Sequence, residues 1–149
     1  MASNSAILCF FICISSMYCL ANAYIIIESK NSGLVLDGNE YNVRAMPADG
    51  SIGQKWTLTP SDTGRFVITN ARNGHALDVQ DGCEKGNNLI VYQKHSGTNQ
   101  LFYINSDGTI GSACNTDLIV EMKDSNGQLG DIQNSCSSGD VIFEIQAAQ

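Results

Sequence analysis

The sequence is poor in the side chains that catalysis and nucleic-acid binding use. It has two histidines and only eight Lys and Arg against fifteen Asp and Glu, a net charge of −7. Such an acidic chain repels phosphate, which argues against nucleic acid or anionic lipid as a partner. No G-x-S-x-G or H-E-x-x-H motif is present, and no nucleophile stands beside a base, so no enzyme is indicated. No Cys/His spacing suits zinc. Asp78, Asp81 and Gly82 lack EF-hand spacing and fall short of the six or more oxygens that calcium takes. No metal or cofactor is therefore expected. No N-x-Ser/Thr sequon occurs, and no stretch keeps a helical apolar period over three turns.

Residues 1–23 lack Lys, Arg, Asp, Glu and Gly altogether. They carry the apolar run Ala6 to Ile14, and Ala21-Asn22-Ala23 has the small-x-small pattern of a cleavage site. The stretch is too short to span a bilayer comfortably, so a cleaved signal peptide is preferred over an uncleaved anchor. The expected product is a secreted, extracellular domain over 24–149, with no membrane insertion.

Of the six cysteines, Cys9, Cys13 and Cys19 leave with the leader. Cys83, Cys114 and Cys136 remain in an oxidising compartment, and three cannot all pair within one chain. Cys114 and Cys136 share the late segment and form the expected disulfide. Cys83 is then free, capped, or the link in a homodimer.

What the chain does have is a repeat. Ile27-Glu28-Ser29-Lys30-Asn31-Ser32-Gly33-Leu34-Val35-Leu36-Asp37 aligns without a gap on Ile68-Thr69-Asn70-Ala71-Arg72-Asn73-Gly74-His75-Ala76-Leu77-Asp78. A third copy runs from Ile110-Gly111-Ser112 to Leu118-Ile119-Val120-Glu121. Each copy ends on an aromatic: Gln54-Lys55-Trp56, Gln100-Leu101-Phe102 and Val141-Ile142-Phe143. Three copies of about 40 residues, near 24–64, 65–107 and 108–147, fill the domain. Short alternating apolar runs between Asp-Gly and Asn-Gly turns make every copy β. One copy buries too little alone. Three can pool one core in a closed all-β sheet.

The Leu-Asp step followed by Gln-x-Trp/Phe resembles the ricin B-chain-like (R-type) lectins, whose hallmark is three Q-x-W motifs. The resemblance spans residues 24 to 147. It implies a β-trefoil of twelve strands, a six-stranded barrel capped by three hairpins. It also implies a carbohydrate-binding protein for terminal galactose or N-acetylgalactosamine, with glycans or glycoproteins as partners. Trefoils also serve as protease inhibitors and host-interaction factors, so the site must decide. In that alternative the loop from Glu40 to Gly53, with Tyr41, Arg44 and Met46, carries the function.

A sugar needs a carboxylate or amide for its hydroxyls and an aromatic face for its C–H patch. In the family pattern these are the Asp of Leu-Asp, an aromatic from the next strand, and an Asn-Gln pair. Copy two matches with Asp78, the platform Tyr92, the amide Asn99, and Gln100 after it supporting Asp78 or the loop, and His95 in the same loop is a further candidate. It departs at Ile90, where members with a full galactose site often carry a polar residue. Copy one keeps Asp37 and Gln54 but has Met46 and Gly53 at the platform and amide positions. Copy three has Glu121 for Asp, Gln133 near the platform, and Asp140-Val141 for Asn-Gln. One working site is expected, in copy two. Trp56, Phe102 and Phe143 are expected in the core, and Asp37 is expected to cap its own turn.

Overall fold

The computed structural model describes residues 23–123, 125–131 and 140–148. The leader, Gln133 and Cys136 lie outside the described residues. Among the described residues there are twelve strands: β1 (Ile25–Ser29), β2 (Val35–Asp37), β3 (Arg44–Met46), β4 (Trp56–Pro60), β5 (Phe66–Asn70), β6 (Ala76–Val79), β7 (Leu89–Tyr92), β8 (Phe102–Ile104), β9 (Ile110–Ser112), β10 (Leu118–Lys123), β11 (Asn126–Asp131) and β12 (Phe143–Ala147). Short 3-10 turns occupy Ile52–Gln54, Asp62–Gly64 and Thr98–Gln100.

Six strands form a barrel. β12 pairs β1 from Ile25↔Ala147 to Ser29↔Phe143, β1 meets β4 at Ile25↔Trp56, and β4 pairs β5 along its length. β5 meets β8 at Phe66↔Phe102, and β8 pairs β9. The Phe143 N–H donates to the Gly108 carbonyl at 2.8 Å, which brings the last strand back against the β8–β9 turn. The hairpins β2–β3, β6–β7 and β10–β11 cover one end. They touch in a ring through Asn126↔Arg44, Asn42↔Ile90 and Asn88↔Gln128. This is the expected β-trefoil.

The repeat is visible in the backbone. In copy one the Ser29 N–H donates to the Leu34 carbonyl, and the Gly33 N–H to the Ser29 carbonyl. In copy two Asn70, His75 and Gly74 repeat both bonds. Gly33 and Gly74 have φ of 71° and 72°, a left-handed conformation that a Cβ would strain. That requirement explains why the two copies share a glycine three residues before Leu-Asp.

Trp56, Phe102 and Phe143 open β4, β8 and β12 and are buried, with Ile27, Leu36, Ile68, Leu77, Leu89 and Ile110 packed in the same core. The Trp56 Nε1–H donates to the Leu36 carbonyl at 3.0 Å, so its polar edge is satisfied inside. Truncating a side chain of this size in the core costs about 3–5 kcal/mol.

The disulfide expectation needs correcting. Cys114 bonds to Cys83, with Cα atoms 5.9 Å apart, and not to Cys136. The fold sets the β6–β7 connection beside the loop after β9, where Asn115 Nδ2 also donates to the Cys83 carbonyl at 3.1 Å. Nearness in sequence misled because hairpins from different copies meet in the cap. Cys83 is therefore spent inside the chain and does not link a homodimer.

Candidate functional site

Asp78 sits in β6 and Tyr92 ends β7. The register Ala76↔Tyr92 and Asp78↔Ile90 makes Asp78 and Tyr92 a diagonal cross-strand pair on one face. Diagonal neighbours lie about 7–8 Å apart, a span that an aromatic side chain bridges. Tyr92 is 48% exposed and Asp78 only 3%, so a carboxylate is sunk beside an open aromatic. Ile90 is buried and offers no polar group at its position.

Three side chains from the following loop reach Asp78. Asn99 Nδ2 donates to Oδ1 at 2.9 Å. Gln100 Nε2 donates to Oδ2 at 2.7 Å, and His95 Nε2 stands 3.2 Å from the same oxygen. The His95 Nδ1 accepts the Gly97 N–H at 2.9 Å. A neutral imidazole accepts at only one nitrogen, so Nε2 carries the proton and donates to Asp78. Tyr92 and His95 meet edge to face, with ring centres 6.3 Å apart and planes at 67°. The structure thus gathers all five residues expected from the sequence.

Gln100 has a different share in this group. It is fully buried. Its amide also donates to the Gln93 carbonyl at 3.0 Å, and its Oε1 accepts the His95 N–H at 2.9 Å. Every polar atom is committed, so Gln100 clasps the 93–100 loop and holds Asp78 from beneath.

Copy one repeats this clasp. Gln54 Nε2 donates to Asp37 Oδ2 and to the Pro47 carbonyl, both at 3.0 Å, and Oε1 accepts the Asp49 N–H at 2.9 Å. Asp49 stands where His95 does, but its carboxylate turns to the Ser51 N–H at 2.8 Å. That bond holds the Asp49 carboxyl below the ordinary aspartate range. The amide comes from an unexpected place. Asn39 donates to Asp37 through its backbone N–H at 2.7 Å and through Nδ2 at 3.0 Å. Arg72 in turn donates to the Asn39 carbonyl and Oδ1 at 2.8 and 3.0 Å. Asp37 therefore does cap its own turn.

Asn39 and Arg72 were missed from the sequence. The signal was Gly53, at the place of Asn99: a Cβ there would come within 2.1 Å of Asn39 Oδ1. Exposed Met46, at 39%, is the only large apolar side chain at the platform position, and it has no aromatic face. In copy three, Glu121 accepts Gln128 Nε2 at 3.1 Å across β10–β11, and Val141 is buried. Among the described residues no three His, Cys, Asp or Glu side chains gather as metal ligands.

A family model described as ricin-type beta-trefoil lectin domain-like matches residues 52–135. Several solved structures share the fold. The designed three-fold symmetric protein ThreeFoil has a TM-score of 0.70 at 22% identity, covering 83% of this chain and 97% of that one. A ricin B-like lectin from Macrolepiota procera, solved in complex with lactose, has a TM-score of 0.69 at 14% identity, covering 85% and 96%. An exo-beta-1,3-galactanase from Clostridium thermocellum has a TM-score of 0.71 at 26% identity over 85% of this chain, which spans 30% of that enzyme. No curated protein matches the sequence.

Proposed function

Since the chain belongs to the ricin-type β-trefoil lectin family, a membership that supports carbohydrate binding, we propose that it is a secreted lectin with one main site in copy two. The site takes a terminal galactose or N-acetylgalactosamine and performs no chemistry. The observation that carries this reading is the pairing of sunken Asp78 with exposed Tyr92. A sugar stacked on Tyr92 lays its C–H face on the ring and turns an edge of hydroxyls toward Asp78 and Asn99.

A carboxylate offers about four lone-pair positions. Asn99, Gln100 and His95 take three of them, leaving one on Oδ1 for a sugar hydroxyl. The second N–H of Asn99 and its carbonyl serve the adjacent hydroxyl. His95, its Nε2–H spent on Asp78, acts as a brace for the carboxylate. The absence of an aromatic at Met46 supports a single working site.

So shallow a site holds a free monosaccharide weakly, roughly millimolar, about −4 kcal/mol. Useful avidity comes from multivalent display. Secretion is supported by the leader-like residues 1–23 and by the Cys83–Cys114 disulfide, which suits an oxidising compartment. A second reading, a protein-binding trefoil, draws on exposed Tyr41, Met46 and Ile52 in the 40–53 loop.

The test is a glycan array probed with multivalently displayed protein. Galactose-terminated glycans are bound, and Asn99→Ala loses them while staying folded. A folded protein that binds no glycan overturns the reading and turns attention to the 40–53 loop.

A further inference from the structure

A groove of 640 Å³ opens beside the Asp78 site, between the tip of the β4–β5 hairpin and the 94–101 loop. Thr59, Ser61 and Val67 line one wall, and His95, Thr98 and Leu101 the other. Both walls are held. The pairing Phe66↔Phe102 fixes the hairpin beside Leu101, and Gln100 clasps the opposite loop. The groove is therefore largely formed before any ligand arrives, and its size falls within the 300–1,000 Å³ or so typical of ligand sites.

We infer that the glycan is longer than one hexose and that its second residue, a neutral sugar, lies in this groove. The inference rests on the sugar reading of Asp78. His95 is the link: its Nε2 touches the Asp78 carboxylate, and the same residue lines the groove. A chain leaving the Asp78 site past His95 enters the groove directly.

The lining says what kind of residue fits. Thr59, Ser61 and Thr98 bring hydroxyls for a sugar rim, and Val67 and Leu101 bring apolar surface for its C–H face. Arg65 is ion-paired with Asp62, so its charge is already answered. Those hydroxyls and apolar side chains are what suit a neutral hexose, and not the charge of Lys94, which would equally attract a carboxylated or sulfated residue.

The experiment titrates isotope-labelled protein with methyl β-galactoside and with a panel of neutral galactose-terminated disaccharides, following backbone amides by NMR. Methyl β-galactoside shifts amides around Asp78, Tyr92 and Asn99. At least one disaccharide binds about tenfold tighter and also shifts Thr59, Ser61 and Val67 across the groove. Thr59→Trp, an exposed strand position, fills the groove. It abolishes the disaccharide gain and leaves methyl β-galactoside affinity unchanged. Equal affinity for methyl β-galactoside and every disaccharide, or shifts that never reach residues 59–67, overturns the inference and leaves the monosaccharide site standing. No shift with methyl β-galactoside overturns the sugar reading itself, and this inference falls with it.

Discussion

The Gly97 N–H donates to His95 Nδ1 at 2.9 Å, and this one bond decides which proton His95 presents to Asp78. Gly97 is also where a side chain cannot go unnoticed. A Cβ there would lie 2.5 Å from Asn99 Oδ1 and 2.7 Å from His95 Cε1. Both contacts are ends of side chains that can swing away, and the Gly97 φ of −70° suits any residue. Gly97→Ala is thus expected to keep the fold while displacing His95 and Asn99 from the carboxylate. Galactoside affinity falls about tenfold, near 1.4 kcal/mol, with the melting temperature almost unmoved. Calorimetric titration beside a thermal melt checks both halves.

Gln54 and Gln100 make the same three hydrogen bonds in copies one and two. Replacing either by Ala leaves buried acceptors and a backbone N–H without partners, at a cost of about 2–3 kcal/mol. The two variants diverge in binding. Gln100→Ala loosens the loop bearing His95 and Asn99 and loses the sugar, whereas Gln54→Ala keeps it. Equal loss from both would place the site elsewhere.

The Cys83–Cys114 bond spans 31 residues and encloses Tyr92, His95, Asn99 and Gln100. In the chain-entropy account a loop of this length contributes about 3–4 kcal/mol. Cys83→Ser with Cys114→Ser, or chemical reduction, is expected to lower the melting temperature clearly. Non-reducing peptide mapping should recover a Cys83–Cys114 linked pair. A Cys114–Cys136 peptide would contradict the topology described.

Asp107 closes the turn between β8 and β9, where Thr109 donates to its Oδ1 through the backbone N–H at 2.9 Å and Oγ1 at 2.7 Å. These bonds, the side-chain one first, hold its carboxyl below the ordinary value of 3.8. A carboxyl lowered on folding stabilises the native state above the unfolded value, and that contribution disappears as pH falls through the folded one. Asp107→Asn is expected to cost under about 1 kcal/mol at neutral pH, given its exposure. The gap from the parent closes at strongly acidic pH. A gap that widens on acidification would reverse the sign of the argument.

Much of this is legible in the sequence. Gly-x-x-Leu-Asp marked the repeat because a left-handed glycine and an inward Leu recur at fixed spacing. The candidate site was legible because Asp78, Tyr92, Asn99 and Gln100 match the family pattern, and the strand register keeps Asp78 and Tyr92 on one face. The division of labour within it was legible only in part: Gln100 as a support for Asp78 or the loop follows from the pattern, but His95 as the brace of the carboxylate does not. Gln100 and Asn99 are neighbours in sequence, but one points into the core and the other outward, which only the 3-10 turn at Thr98–Gln100 separates. Asn39 replacing the missing amide in copy one, and Cys83 finding Cys114, both depend on contacts between segments far apart in the chain.

The central claim is that copy two binds and copy one does not, and the aromatic decides it. The direct measurement is retention on immobilised galactose of the parent, Tyr92→Ala and Met46→Ala, each confirmed folded. Both positions are exposed, so neither change should disturb the core. The parent and Met46→Ala are expected to be retained and eluted by free galactose, while Tyr92→Ala flows through. Retention of Tyr92→Ala with loss of Met46→Ala would move the site to copy one and contradict the account.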